Sequence, residues 1–364
     1  MTLELVTAGE SHGPALVAIV TGLPAGLRLD REAIDGDLAR RQEGYGRSPR
    51  QHLERDEIEV LAGIRHGKTL GTPLAFVIVN RDHENWAWGM SPWPPEGNPS
   101  GKGTSPVTLP RPGHADLAGA LKFGHEDARN ALERASARQT AAHVAAGAVA
   151  KTLLAEIGVA VIGRVLEVGG ETSDHGRATA TDEARAARDT LGGIVEVAAE
   201  GVPPGLGSYA EKGDRLDARL AAALMGIQAV KGVELGDGFA LARLRGSEAQ
   251  DEIEPDLRRQ TNRAGGLEGG VTNGEPVVVR AAMKPLPTLM RPLRSVDLES
   301  GEPGEALVER SDVQAVEALA VVAEAAVAWE LARAAREKFG GDALVDFVGA
   351  HRAYLERIRW PREP

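Results

Sequence analysis

Apolar-rich runs at 16–20, 58–62, 74–79, 159–168, 194–199 and 277–282, most of them bounded by glycine or proline, predict β-strands. Residues 30–41, 126–156, 214–226 and 311–338 instead carry apolar positions at three- and four-residue intervals and predict helices, with Ser311 as the N-cap of the last and Gly340-Gly341 just past its end. Strands and helices do not alternate regularly, and no Gly-x-Gly-x-x-Gly joins a strand to a helix. The pattern therefore predicts an α+β fold and argues against a doubly wound sheet. One internal echo is visible: Gly22-Leu23-Pro24-Ala25-Gly26-Leu27 and Gly201-Val202-Pro203-Pro204-Gly205-Leu206 share a Gly-apolar-Pro-x-Gly-Leu pattern, each followed by an amphipathic helix. It reads either as two related halves packed together or as a recurring short turn. Residues 84–112 hold Trp86, Trp88 and Trp93 among seven prolines without periodicity, which predicts a long loop acting as a ligand flap or a subunit contact.

At 364 residues the chain can bury a substantial core as one large or two ordinary domains. It has no cysteine, so disulfides, thiolate metal sites and cysteine nucleophiles are excluded. The apolar segment near 318–329 is broken by Glu324, and residues 1–4 carry no signal-peptide pattern, so the expectation is a soluble cytoplasmic protein without a membrane span. A net charge of −11 argues against wholesale nucleic-acid binding. The basic residues are nevertheless unusual, with 34 arginines against eight lysines, many of them in Gly- and Pro-rich segments. Arg40, Arg41, Arg47, Arg50 and Arg55 cluster, and guanidinium forks match carboxylates and phosphates, so an arginine-lined pocket for a small polyanion is expected.

The candidate chemistry starts at Gly9-Glu10-Ser11-His12-Gly13-Pro14, where a histidine between a serine and two turn formers is displayed for proton transfer near neutral pH. A second histidine stands in a similar setting at Arg111-Pro112-Gly113-His114-Ala115-Asp116. Gly67-Lys68-Thr69 ends like a phosphate loop but lacks its first glycine and following helix, and reads as a turn. Nine histidines without a His-x-x-x-His pair give no metal site. Residues 261–274 contain five glycines, a density that suits close backbone approach to a ligand. Lys284-Pro285-Leu286-Pro287-Thr288 is a proline-stiffened edge able to hold a phosphate or a flat ring, or else an ordinary surface turn. Within 126–156, Ser136, Gln139 and His143 fall on one face of the expected central helix, where Arg138 would be desolvated and require an anion. Asp312, in Arg310-Ser311-Asp312, opens the last helix.

Seven ordered motifs resemble chorismate synthases across nearly the whole chain: residues 9–14, Arg-Arg-Gln-x-Gly-Tyr-Gly-Arg at 40–47, Arg-Pro-Gly-His-Ala-Asp at 111–116, Ala-Ser-Ala-Arg at 135–138, the 261–274 loop, Lys-Pro-x-Pro-Thr at 284–288 and Arg-Ser-Asp at 310–312. The resemblance implies a 1,4-anti elimination of phosphate from 5-enolpyruvylshikimate 3-phosphate to chorismate, dependent on reduced FMN without net redox change. It implies that His12 is the acid near the flavin N1 and O2 edge, that His114 protonates the departing phosphate, and that Asp312 assists flavin N5 in taking the ring proton. The flavin contacts implied are Ser136, Ala137, Arg138, Gln228, Ala229, Gly269, Lys284, Pro285, Leu286, Pro287, Thr288 and Arg310, while Arg41 and Arg47 match positions for substrate phosphate or nicotinamide-nucleotide binding. Ala135 and Gln139 depart from the family pattern, where Ser and Glu are expected, and the second removes a charge beside Arg138.

The fold so implied is a sandwich of central helices between antiparallel β-sheets, a single domain over 1–364 with pseudo-related halves near 1–190 and 191–364, assembled as a homotetramer. NADPH enters only as a reductant of the flavin, used either by this chain or by a separate flavin reductase. Two other functions compete with this one, a non-catalytic flavin or phosphate-ligand binding module and a flavoprotein oxidoreductase.

Overall fold

Two four-stranded antiparallel sheets repeat one strand order. In the computed structural model, which describes residues 2–47, 55–309 and 312–359, strands β1 (Glu4–Ala8), β2 (Ala15–Thr21), β3 (Glu59–Ala62) and β4 (Leu74–Val79) lie in the order β1-β2-β4-β3. Strands β5 (Ala160–Val168), β6 (Gly193–Glu200), β7 (Val230–Leu235) and β8 (Val277–Met283) lie in the order β5-β6-β8-β7. Alternation sets the inner faces: Leu16, Ala18 and Val20 with Leu74, Phe76 and Ile78 are buried in one sheet, and Val277, Val279, Ala281 and Met283 in the other.

The helices are α1 (Arg31–Gln42), α2 (Asp116–Phe123), α3 (Arg129–Ala135), α4 (Thr140–Ala155), α5 (Asp174–Ala186), α6 (Leu216–Met225), α7 (Val316–Phe339) and α8 (Leu344–Ile358). Helix α4 packs on β1, β2 and β4, helix α7 packs on β5, β6 and β8, and the two helices pack on each other, which makes the α+β sandwich. Their alanine and glycine content is what lets them fit there. A Cβ on Gly147 would lie 2.3 Å from the Ala325 Cβ, so the two backbones all but touch. Glu324, the charge that interrupts the apolar stretch of α7, is buried and takes Arg40 through both of its terminal nitrogens at 2.9 Å, Lys151 Nζ at 2.6 Å and the Gly163 N–H at 2.8 Å. Burial opposes its charge, and the hydrogen bonds from Arg40 and Lys151 outweigh burial and hold its carboxyl below the usual range.

The echoed segments do the same work in both halves. Thr69 Oγ1 accepts from the Leu27 N–H (3.0 Å) and donates to the Pro24 carbonyl (2.6 Å), and Thr272 Oγ1 accepts from the Leu206 N–H (2.8 Å) and donates to the Pro203 carbonyl (2.7 Å). Each threonine ends a short hairpin, Ile64–Arg65 with Lys68–Thr69 in one half and Leu267–Glu268 with Val271–Thr272 in the other. Gly26 (φ +91°) and Gly205 (φ +90°) sit in the left-handed region within the two latched turns.

All six predicted strands and the helices at 30–41 and 214–226 are present within a residue or two. The long helix expected over 126–156 is not continuous. It breaks at Ser136, which is extended (ψ 143°) and caps the Arg138 N–H of a one-turn 3-10 helix, Ala137–Gln139, with its own hydroxyl. Ser136, Gln139 and His143 therefore do not share a helix face. The final central helix begins at Val316, and the expected cap, Ser311, lies outside the described residues. Strands β1 and β7 and helices α2, α5 and α8 are additional. Helix α5 escapes a periodicity search because only Thr181 and Ala184 of its thirteen residues are buried. No helix among the described residues is long and apolar enough to cross a membrane.

Two glycines on different helices separate packing from propensity. Gly147→Ala is expected to lower the denaturant midpoint by an amount equivalent to about 1–3 kcal/mol, because backbone must move to admit the methyl. Gly36→Ala on α1, where an added Cβ meets nothing within 4 Å, is expected to leave the midpoint unchanged or raise it. Equal midpoints for the two variants would show that the contact between α4 and α7 is loose.

Candidate active site

The loop from β1 to β2 carries His12 and is pinned from behind. Asn80, at the end of β4, donates through Nδ2 to the carbonyls of Glu10 (3.1 Å) and Gly13 (2.7 Å), and the Ser11 N–H reaches the Glu133 carbonyl on α3 (3.1 Å). Arg134 ties α3 to the same loop through the carbonyls of Gly9 and Thr7. The His12 ring is 8% exposed and stacks on Trp86 with 3.8 Å between centroids and 19° between planes. Its Nδ1 lies 2.9 and 3.0 Å from the two carboxylate oxygens of Glu133, which also accepts the His12 N–H at 2.9 Å.

His114 is held in a parallel way just before α2. Its Nδ1 stands 2.5 Å from Asp116 Oδ1, and Arg111 reaches Asp116 through Nε (2.8 Å) and Nη2 (3.1 Å). Burial pushes the fully enclosed Asp116 carboxyl up, but hydrogen bonds from His114 and Arg111 outweigh it and hold the group far below the ordinary carboxylate range. The Arg111 Nη1 donates to Thr288 Oγ1 (2.9 Å), and Lys284 Nζ donates to the Gly113 carbonyl (2.5 Å). Gly113 suits this position because its φ of +80° lies in the left-handed region, which a side chain would strain. The 111–114 and 284–288 segments thus form one cluster.

A third group is a crowd of guanidiniums. Arg41 donates to Thr140 Oγ1 (2.8 Å) and the Ala137 carbonyl (3.1 Å), Arg138 pairs with Asp56 at 2.7 Å, and Arg47 pairs with Asp312 at 2.9 Å. Burial, and then the neighbouring positive charges of Arg138 and Arg47, pull the Arg41 guanidinium down to about 10 despite the opposing attraction of Asp56. The Arg47 Nε is buried without a hydrogen-bond partner. Such a surplus of donors and positive charge suits a polyanionic ligand. The groups are also joined to one another. The Val313 N–H reaches the Gly46 carbonyl, the Leu191 N–H reaches the Val313 carbonyl, and Thr190 Oγ1 donates to the Leu286 carbonyl, while Ser136 Oγ donates to Ser11 Oγ.

The family model for chorismate synthase matches residues 3–335. A chorismate synthase of Desulforudis audaxviator is 54% identical over an alignment covering 98% of each chain, and one of Rubrobacter xylanophilus is 55% identical, covering 99% of this chain and 98% of the relative. A crystal structure of a chorismate synthase, 37% identical, superposes with a TM-score of 0.79 over 98% of both chains. The chain belongs to the chorismate synthase family.

Most residues expected from the resemblance to chorismate synthases converge here. Ser136, Ala137 and Arg138 lie between the His12 loop and Asp56, and Ala229, in the left-handed region at φ +67°, accepts the Lys284 N–H at 2.9 Å, which sets Gln228-Ala229 against the Lys284–Thr288 edge. Gly269 is not brought to this cluster within the protomer. It sits in the hairpin turn beside the start of α6, where the Leu216 N–H bonds to the Gly270 carbonyl, whereas Gln228 follows the end of α6. The 261–274 loop flanks the Val277 end of β8 and Lys284 follows its Met283 end, seven residues or roughly 20 Å away at the usual strand rise. Gly265 and Gly266 bring the loop against the backbone of residues 236 and 276, Gly270 meets Arg215 beside α6, and an added Cβ on Gly269 would meet nothing within 4 Å. Arg310 lies outside the described residues, as does Arg50. Of the described members of the arginine cluster, Arg40 is taken by Glu324 and the exposed Arg55 by Glu57 at 3.5 Å, which leaves Arg41 and Arg47 at the site. Among the described residues no group of histidines and carboxylates could hold a metal.

Sequence reasoning missed Glu133 and Asp56 and did not separate Trp86 from the other tryptophans. Glu133 is 121 residues from His12, and no local spacing marks it. Asp116 yields a test with a defined sign. Its folded value is depressed, so its contribution is present above the unfolded carboxylate value of about 3.9 and is lost as pH falls below that. Asp116→Asn is expected to cost roughly 3 kcal/mol at pH 7, the scale of breaking a buried ion pair, with the gap to the parent closing in urea titrations below about pH 4. A gap independent of pH would sink that account.

Proposed function

We propose that the chain acts as a chorismate synthase, a lyase that eliminates phosphate from 5-enolpyruvylshikimate 3-phosphate in a 1,4-anti sense to give chorismate. The observation that carries this reading is the presence of two carboxylate-bound imidazoles beside a surplus of buried guanidiniums. The allylic C–O bond breaks, a ring C–H proton is removed, and the two electron pairs reorganise into a diene with no net oxidation. Phosphate leaves readily only if its growing charge is neutralised. His114, doubly protonated with Nδ1–H on Asp116, delivers the Nε2 proton to the leaving oxygen, and Arg41 and Arg47 take up anionic oxygens of the substrate. Asp312, paired with Arg47, assists the transfer of the ring proton.

The donor set fits a flavin phosphate and ring: Ser136, Ala137 and Arg138 on one side, Gln228 and Ala229 with the stiff Lys284-Pro285-Leu286-Pro287-Thr288 edge on the other. Reduced FMN held by these residues would supply electron density to the allylic system without net redox change. His12 is the proton donor at the flavin N1 and O2 edge. NADPH serves only as the reductant of the flavin, used by this chain or by a separate flavin reductase. We further propose a single domain with two related halves, a homotetrameric assembly and a cytoplasmic location.

The test is phosphate release from the enolpyruvyl substrate with chemically reduced FMN, with and without NADPH. Replacing His114 by alanine is expected to slow release by roughly 10²- to 10⁴-fold, the usual scale for losing a general acid. A His12/His114 double alanine variant that keeps its flavin affinity while losing turnover separates the enzyme from a binding module. Flavin oxidation stoichiometric with product would overturn the reading in favour of an oxidoreductase.

A further inference from the structure

We infer that Glu133 is the positioning residue of His12, setting which ring nitrogen exchanges the proton. The inference rests on the proposed role of His12 as an acid. Glu133 is 2% exposed, receives the His12 N–H and faces Arg129, and as a carboxylate it offers only acceptors. Both of its oxygens lie within 3.0 Å of Nδ1, so Nδ1 must carry hydrogen, and proton exchange with the ligands falls to Nε2. The same carboxylate grips the His12 N–H at 2.9 Å, which ties the ring to its own main chain. Trp86, stacked at 3.8 Å and 19°, fixes the plane of the ring. Arg129 supplies the counter-charge, with Nη1 3.6 Å from Glu133 Oε1, and its guanidinium lies 5.2 Å from the Trp86 ring centre.

The arrangement repeats that around His114, where Asp116 holds Nδ1 and Arg111 neutralises Asp116. Two proposed proton carriers are thus built alike, as imidazole, carboxylate and arginine, from unrelated stretches of chain. A mechanical role alone would not need both oxygens directed at one ring nitrogen.

The experiment uses the full chain and compares Glu133→Gln, Glu133→Asp, His12→Ala and His12→Ala/Glu133→Gln. The amide of Gln can donate to Nδ1 and favour the Nε2–H tautomer. Ring ¹⁵N shifts of His12, identified by their loss in His12→Ala, are expected to report Nδ1–H in the parent and Nε2–H in Glu133→Gln. With chemically reduced FMN, Glu133→Gln is expected to lower kcat by roughly 10²-fold or more with KM within about threefold, since a neutral Nε2–H imidazole would have to become an imidazolate to give up its proton, whereas one that keeps Nδ1–H on a carboxylate delivers the Nε2 proton and stays neutral; a general acid is lost without loss of a ligand contact. Glu133→Asp is expected to recover part of the rate, and in the His12→Ala background the Gln change is expected to alter kcat by less than about twofold, as two residues acting as one unit should. An unchanged tautomer in Glu133→Gln, or equal losses of kcat in the two backgrounds, would overturn the inference while leaving the role of His12 standing. Full activity in His12→Ala would overturn both, and then the loss expected in Glu133→Gln would be absent.

Discussion

The structure depends on two helices being able to lie almost in contact between two sheets. At Gly147 and Ala325 there is no room for another carbon, and at Gly163 an added Cβ would stand 2.3 Å from the Ala320 carbonyl oxygen, so β5 presses on α7 as closely as α7 presses on α4. Close packing of this kind transmits position. The ends of β2, β4, α4 and β8 are fixed relative to one another because the layers they belong to cannot slide. Glu324 reinforces the register by drawing Arg40, Lys151 and the Gly163 N–H to one buried carboxylate. Removing only one partner of such a group would leave a charge in a medium that cannot solvate it.

On that frame the site is assembled from segments that share no local signal. The His12 loop comes from the first sheet, Glu133 from α3, Arg138 from the break between α3 and α4, and the Lys284–Thr288 edge from the end of β8. The break at Ser136 has a consequence for chemistry. A continuous helix would have carried Ser136 and Arg138 around its axis, whereas the extended residue turns the Ser136 hydroxyl to Ser11 and lets Arg138 reach Asp56. The charge balance is equally deliberate. Arg41, Arg47 and Arg138 meet Asp56 and Asp312, which leaves the guanidiniums repelling one another.

How much of this was legible differs from element to element. The strands at 74–79 and 277–282 could be read because their apolar runs end at turn residues, and α6 because Leu216, Leu220 and Leu224 recur every four residues. Strand β1 could not, since Glu4 and Thr7 dilute its pattern, nor could α5, whose stability comes from lying on β5 and not from a broad apolar stripe. The glycine-dense 261–274 segment was legible only in part, for a physical reason. Glycine reports that backbone approaches something closely, but not whether that something is a ligand or, as here for Gly265 and Gly266, the backbone of residues 236 and 276.

The amino-acid sequence by itself determined the α+β class, the two candidate histidines, though not that His12 is buried against Trp86, the surplus of arginine and, through seven ordered motifs, the family. These are properties of local order and of composition, written in adjacent residues. Only the tertiary structure decided which carboxylate each imidazole would meet, which arginines would be spent on the frame and which would gather beside Asp56 and Asp312, and that Gly269 stands apart from Lys284 within the protomer. Those outcomes depend on distances across the fold, and hydrogen bonds and ion pairs act over a few ångströms of space whatever the separation along the chain.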